Sequence, residues 1–137
     1  MKSTYSVLTI FKSISENKSS RSDVNHLIEL AHSFAYSYLK YRYKNIGKVL
    51  MAEDLTLKEL AIDAIAPLFE RNEKGEFIRI TKAFTDWDPK IETEDQAGFL
   101  LNRLVAKSTE KYVSELLRQS DPFFSKILDS VNYLIDK

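Results

Sequence analysis

A long helical repeat of apolar residues restricts this chain to a narrow range of folds. Between Asp23 and about Asn45 the apolar side chains recur at steps of three and four, so they share one helix face. They are Val24, Leu27, Ile28, Ala31, Phe34, Ala35, Tyr38 and Leu39. Gly47 is placed to end this helix. The 137 residues include only three glycines and three prolines, which favours long helices over a turn-rich sheet.

Two capping boxes predict where further helices begin. Thr56 and Glu59 stand three residues apart, so the hydroxyl and the carboxylate can each satisfy a free backbone amide of the first turn. Thr93 and Gln96 repeat this spacing before an apolar repeat that continues to about Arg118. The sequence therefore predicts one helix after Thr56 and another, longer one after Thr93.

The remaining segments are assigned from shorter signals. Pro67 clashes with the carbonyl of the residue four positions earlier, so we expect a kink or an early end in the helix after Thr56. A short helix is predicted within the first 14 residues, and the Asp121-Pro122 pair is placed to open the last one. The Gly75–Trp87 segment fits a helix or a short strand, and its helical neighbours favour the helix.

Composition is that of one globular domain in a reducing compartment. Apolar residues make up 44% of the chain, enough for a core, and no apolar run is long enough to span a bilayer. There is no cysteine, and we recognise no signal peptide at the N-terminus. We therefore expect a cytoplasmic all-α protein, in which residues 1–137 form a single compact bundle of about five to six helices.

No catalytic, metal or cofactor site is recognisable in the sequence. His26 and His32 are six residues apart, whereas two histidines on one helix face need a spacing of four. Glu29 and His32 form one Glu-x-x-His unit, but a di-iron bundle needs two such units. The glycines are too far apart for a phosphate loop, and no thiol nucleophile exists. We expect a binding protein without a cofactor rather than an enzyme.

The first long helix combines basic and aromatic residues. No acidic residue occurs between Glu29 and Glu53. This stretch holds Lys40, Arg42, Lys44 and Lys48 among Tyr36, Tyr38, Tyr41 and Tyr43. Cations beside aromatic rings can hold phosphates and stack bases. The alternative is a helix whose tyrosines pack inward and whose lysines face water.

The helix after Thr93 carries a second basic feature. Four cations project within an arc of about 80°, taking 100° per residue. They are Arg103, Lys107, Lys111 and Arg118. Apolar residues project on the opposite side, so the cations should be exposed, although Glu110 lies close to them. The four cations could follow a phosphate backbone, or they could form an ordinary face of salt-bridged charges.

Acidic residues are concentrated between these two basic helices. The chain as a whole is neutral, with 20 basic and 20 acidic residues, but the Glu53–Asp95 tract is mainly acidic. Segregated charge of this kind suits two different partners better than a uniformly mixed surface does.

The order of these features resembles the second conserved region of bacterial RNA polymerase sigma factors. The resemblance rests on the aromatic and basic helix, on Leu60-Ala-Ile-Asp-Ala-Ile-Ala-Pro-Leu-Phe-Glu70, and on the Phe99–Arg118 helix, and it covers about Val24 to Arg118. It implies an acidic, apolar helix that docks on the polymerase and a following helix that contacts promoter DNA.

Carried over residue by residue, the resemblance assigns two surfaces. RNA polymerase core would contact Glu59, Leu60, Ile62 and Asp63. DNA would contact Arg103, Lys107, Lys111 and Arg118, together with Lys40, Arg42 and Lys44. Pro67, Glu110 and Glu115 depart from the family pattern, and no C-terminal promoter-binding module is recognised. We therefore expect a non-enzymatic, sigma-like domain with lost or altered promoter recognition.

The alternative is a small helical protein-interaction module that binds no nucleic acid. Such a module would present an exposed apolar patch instead of a continuous basic strip. The candidate residues for that patch are Trp87, Phe123 and Phe124.

Overall fold

The computed structural model describes residues 6–42 and 57–120, without the side chains at positions 117, 119 and 120. These residues form five α-helices and no strand, which confirms the all-α prediction. The helices are α1 (Val7–Ser15), α2 (Arg21–Arg42), α3 (Leu57–Ile65), α4 (Ile78–Asp86) and α5 (Glu94–Ser120). The predictions for Lys44, Gly47, Thr56 and the segment from Asp121 onward, including Phe123 and Phe124, lie outside the described residues.

The helix break predicted at Pro67 is present. The α-helix ends at Ile65, and the chain continues as one 3₁₀ turn over Ala66–Phe69. Proline occupies the start of that turn, where its missing N–H leaves no hydrogen bond unmade. The turn shifts the chain axis, so that Leu68 points into the core while Ala66 faces solvent.

The Gly75–Trp87 segment, for which the sequence allows a helix or a strand, contains a helix. The helix begins at Ile78, after a loop that is organised by the side chain of Asn72. The amide oxygen of Asn72 accepts hydrogen bonds from the backbone N–H groups of Lys74 and Glu76, both at 2.9 Å. Gly75 has a φ of +79°, a conformation that residues with a Cβ rarely adopt.

The capping box predicted at the start of α5 is also present. The N–H of Gln96 donates to the hydroxyl of Thr93 at 3.1 Å, and the N–H of Thr93 donates to the side-chain oxygen of Gln96 at 3.1 Å. Thr93 is therefore the N-cap, and the longest described helix begins where its local sequence predicts.

Glu94, in the first turn of α5, also caps α1. Its carboxylate accepts hydrogen bonds from the N–H groups of Val7 and Leu8 at 2.8 and 3.1 Å, and from the hydroxyl of Ser6 at 2.5 Å. Partial burial raises the pKa of Glu94, but these three hydrogen bonds outweigh it and hold the pKa below its ordinary value. We call this arrangement the Glu94 clasp.

The core lies between α2 and the other helices. α2 packs against α3 and α5, and α1 packs against α4 and α5. The buried positions of α2 are those of the predicted repeat, namely Val24, Leu27, Ala31, Ala35 and Leu39. They meet Leu60, Ala61 and Ile65 of α3 in a continuous cluster that extends to Phe11, Leu100 and Val105. Within the described part of the chain, no helix is long and apolar enough to cross a membrane.

Candidate interaction surface

The four cations predicted on α5 are all exposed. Arg103, Lys107, Lys111 and Arg118 lie on the solvent side of the helix, while Leu101 and Val105 are buried beneath them. Successive members from position 103 to 111 are separated by four residues, or about 6 Å along the helix axis. We call these four residues the α5 stripe.

The cations of the α5 stripe form no ion pair with a carboxylate of the described residues. Across residues 6–42 and 57–120, none of the four cations forms an ion pair within 4.0 Å. The alternative of a salt-bridged surface therefore fails for the described residues. Cations in this arrangement remain available to an anionic partner.

Glu110, which the sequence places beside the stripe, is hydrogen-bonded to another helix. The hydroxyl of Tyr38, on α2, donates to the carboxylate of Glu110. This contact directs the carboxylate toward α2 and explains how an acid adjacent to the stripe is tolerated. It also accounts for Tyr38, which packs against the core as the inward-facing alternative predicts.

The basic residues of α2 are less uniform. Lys40 is exposed, and its ammonium lies 5.9 Å from the ring centroid of Tyr36. Arg42 is half-buried, and Tyr41 is the most exposed large apolar side chain described, at 87%. The end of α2 thus presents one cation and one free ring to solvent, while its other tyrosines pack inward.

The surface predicted to contact RNA polymerase needs one correction. Glu59, Ile62 and Asp63 are exposed on α3, with Ile62 at 55%. Leu60 is only 1% exposed and belongs to the core, so its assignment to a docking surface is wrong. The physical reason is the helix period, which turns Leu60 toward α2 when Glu59 and Ile62 face solvent. We call Glu59, Ile62 and Asp63 the α3 surface.

Asp63 joins the α3 surface to α5. The hydroxyl of Tyr112 donates to the Asp63 carboxylate at 3.3 Å. Burial, together with the charge and hydrogen bond of Asp63, raises the pKa of Tyr112 to about 12. Asp63 and Tyr112, which are 49 residues apart in the sequence, therefore meet in space.

A groove of about 560 Å³ lies between the 3₁₀ turn, α4 and α5. It is lined by Pro67, Leu68, Glu70, Arg79, Leu104, Lys107, Ser108, Lys111, Tyr112 and Glu115. Two of the stripe cations thus also border the groove, whereas Arg103 and Arg118 do not. Arg79 was not among the predicted binding residues, because its segment fitted either a helix or a strand and the direction of its side chain was therefore undetermined.

The apolar patch proposed for an interaction module is partly described. Trp87 is half-buried and lines a small pocket with Pro89, Ile91 and Phe99. Phe99 is 58% exposed, one helical turn before Arg103. Trp87 is thus the one member of the predicted patch among the described residues, and it lines a pocket together with the exposed ring of Phe99.

His32 makes a contact between two helices. The Nε2 atom of His32 lies 3.0 Å from the carbonyl oxygen of Lys58, which links α2 to α3. Among the described residues, no group of three or more histidine, aspartate or glutamate side chains is placed to hold a metal ion.

No protein-family model, curated protein or solved structure matches this chain. The arguments about its function therefore rest on its own residues and their arrangement.

Proposed function

We propose that this protein is a non-enzymatic, sigma-like domain that acts in transcription. In this proposal the α5 stripe contacts the phosphates of nucleic acid, with DNA as the first candidate. The α3 surface contacts a protein partner, and the resemblance of the sequence to sigma factors names RNA polymerase core. The single observation that carries the proposal is the α5 stripe, with four exposed cations that lack ion-pair partners among the described residues.

The geometry of the stripe supports phosphate contacts. The span from Arg103 to Arg118 is 15 residues, or about 22 Å along the helix, which is a length that several consecutive phosphates can follow. Lysine and arginine on such a line release counterions when they neutralise phosphates. Contacts of this type bind without reading sequence, so the stripe supplies affinity rather than promoter choice.

The α3 surface supports a protein contact. Ile62 is an exposed aliphatic side chain between two acidic residues, and the core side of the same helix is fixed against α2. A rigid helix that presents a small apolar centre with charged neighbours has the usual composition of a protein-binding site.

The DNA contact is tested by charge reversal. We expect wild-type affinity for duplex DNA to fall with salt with a slope of roughly −3.5, since four phosphate contacts contribute about 0.9 each. Arg103→Glu combined with Lys107→Glu should lower the affinity at least tenfold and flatten the slope by about 2. Fluorescence anisotropy of labelled DNA across a salt series measures both quantities.

The matched control for this experiment is Lys12→Glu combined with Lys18→Glu. Both lysines are exposed on or near α1, and the pair changes the net charge by the same amount. It should leave the slope unchanged. A flat salt response of the wild type, or equal losses in both double variants, would contradict the proposed stripe.

The polymerase contact is tested separately by retention on immobilised core polymerase. Asp63→Arg and Ile62→Asp should each reduce retention at least tenfold, because they reverse a charge and remove an apolar contact at the centre of the α3 surface. Glu73→Arg, an exposed charge reversal in the loop before α4, is the control. No retention of the wild type would refute this part and favour the interaction module without nucleic acid.

A further inference from the structure

The groove between the 3₁₀ turn, α4 and α5 has an apolar floor and a charged rim. Pro67, Leu68 and Leu104 supply the aliphatic floor. Its volume of about 560 Å³ is in the range of sites that enclose a small ligand or the side chains of a peptide. None of these groove residues is needed for the phosphate contacts proposed for Arg103 and Arg118.

The polar groups inside the groove are already used by the fold. The hydroxyl of Ser108 donates to the carbonyl oxygen of Ala64 at 2.6 Å, and the hydroxyl of Tyr112 donates to Asp63. The groups left to meet an occupant are therefore the charges of the rim. An occupant needs apolar side chains for the floor and discrete anionic groups for the cations.

Three cations define the positive side of the rim. Lys107 and Lys111 come from α5 and have no ion pair among the described residues, and Arg79 faces them from α4. The guanidinium of Arg79 lies 3.9 Å from the carboxylate of Glu70, and both side chains are more than half exposed. Such a surface pair is weak, so Arg79 can exchange Glu70 for another carboxylate at little cost.

The rim favours a peptide over a nucleic acid. The carboxylates of Glu70 and Glu115 interrupt the cations, and a continuous phosphate backbone crossing the groove would meet both of them. A peptide can place single carboxylates opposite single cations and leave its other positions neutral. The hydroxyl hydrogens of Ser108 and Tyr112 are both engaged, so these two groups cannot donate to the acceptors of a base edge.

We propose that the groove binds an acidic amphipathic segment of a partner protein, with aliphatic side chains on the floor and carboxylates at Arg79, Lys107 and Lys111. The distance from Leu104 to Glu115 is about 16 Å along α5, which matches three turns of a helical segment. Because Lys107 and Lys111 also belong to the α5 stripe, the segment excludes nucleic acid from it. This competition rests on the proposed function, whereas peptide binding does not.

The probe is a fluorescein-labelled 12-residue peptide in which glutamates flank leucines spaced four residues apart. We expect saturable anisotropy with the full chain, and at least tenfold weaker binding of a peptide of equal charge with serine at the leucine positions. Equal binding of the two peptides would show that only charge attracts them and would overturn the proposal. No saturation at millimolar protein would overturn it as well.

Two variants separate the groove from the stripe. Arg79→Glu should weaken the peptide at least tenfold and leave DNA affinity within about twofold, because Arg79 lies outside the stripe. Arg103→Glu should weaken DNA binding and leave the affinity for the peptide within about twofold. If Arg79→Glu weakens DNA as much as Arg103→Glu does, the groove belongs to the nucleic-acid surface and the proposal fails, while the proposed function stands.

Competition is measured by adding the unlabelled peptide to a preformed complex with labelled DNA. Displacement that is lost with Arg79→Glu supports a shared site at Lys107 and Lys111. Simultaneous binding of both would overturn the exclusion. Concentration-dependent self-association that Arg79→Glu abolishes would identify a second copy of this chain as the occupant and overturn the assignment to a partner.

Discussion

The first turn of α5 and the α5 stripe use their polar side chains in opposite ways. At the N-terminal end, Thr93, Glu94 and Gln96 all accept or donate hydrogen bonds that hold helix ends in place. Farther along, the cations of the α5 stripe have no partner among the described residues. One helix therefore contributes stability in its first turn and leaves charge available for binding from Arg103 onward. The comparison predicts that mutations in the first turn lower the free energy of unfolding, whereas mutations in the α5 stripe change binding.

The largest effect on stability is expected in the core beside the start of α5, at Phe11→Ala in α1. Phe11 is fully buried, and its ring centroid lies 5.5 Å from that of Phe84. Removing the ring should lower the free energy of unfolding by about 3–5 kcal/mol, measured by urea denaturation. Leu104→Ala, at the half-buried floor of the groove, should cost about 1–2 kcal/mol. Equal losses of unfolding free energy in the two variants would show that the groove floor is packed as tightly as the core around Phe11, and would contradict this prediction.

The Glu94 clasp should give the next largest effect. Glu94→Ala leaves the N–H groups of Val7 and Leu8 without their acceptor and should cost about 1–2 kcal/mol of unfolding free energy. Asp95→Ala is the control, because Asp95 shares the first turn of α5 but forms no hydrogen bond or ion pair with the described residues of α1. If Asp95→Ala lowers the free energy of unfolding as much as Glu94→Ala does, the loss comes from removing a negative charge near the N-terminus of α5 and not from the hydrogen bonds to α1.

The clasp also predicts a dependence on pH. The pKa of Glu94 is lowered in the folded protein, so the carboxylate stabilises the fold above the ordinary glutamate pKa of about 4.3. That stabilisation is lost as the pH falls through the lower folded value. The difference in unfolding free energy between wild type and Glu94→Gln should therefore shrink as the pH falls below about 4. A difference independent of pH would contradict the charged form of the cap.

A smaller effect is expected where the α3 surface meets α5. Asp63→Asn removes the negative charge beside Tyr112 and should move its pKa from about 12 toward the ordinary 10, although burial keeps it above that value. In the wild type the raised pKa contributes stability that is complete below pH 10 and is lost as the pH approaches 12. The ¹³C shift of the tyrosine Cζ atoms reports the titration. A Tyr112 pKa that does not change in Asp63→Asn would contradict the contact.

The smallest effect on stability is expected in the α5 stripe. Arg103→Glu combined with Lys107→Glu should change the free energy of unfolding by less than about 0.5 kcal/mol, because neither side chain has a described partner to lose. Urea denaturation of the same variant used in the DNA experiment tests this. A loss of more than about 1 kcal/mol of unfolding free energy would mean that the cations stabilise the fold, and would contradict the difference drawn between the first turn of α5 and the stripe.

Local signals predicted most of the fold. The Thr93 box and the break at Pro67 depend on atoms within four residues of one another, and both are found where the sequence predicts them. The helix period also placed Leu60 in the apolar face correctly. The family resemblance counted the same residue in a docking surface, and its burial shows that the period is the better guide there.

The parts that could not be predicted depend on contacts between distant segments. Glu94 reads as an ordinary acidic residue in a first helical turn, and nothing near it in sequence indicates that it caps α1. Arg79 lies in the mainly acidic tract, yet the fold brings it to the groove beside Lys107. The sequence predicted charge blocks along the chain, but α3 packs against α5, and α4 and α5 both contact the 3₁₀ turn, so these blocks are mixed in space.

The Glu94 clasp joins two parts of the chain that are synthesised at different times. The hydroxyl of Ser6 and the carboxylate that binds it are 88 residues apart, so α1 lacks this cap during translation until Glu94 has been synthesised. At about 5–20 residues per second the delay is roughly 4–18 s. For most of that interval neither α4 nor α5 has been synthesised, so the apolar face of α1 is without the two helices that cover most of it in the folded protein.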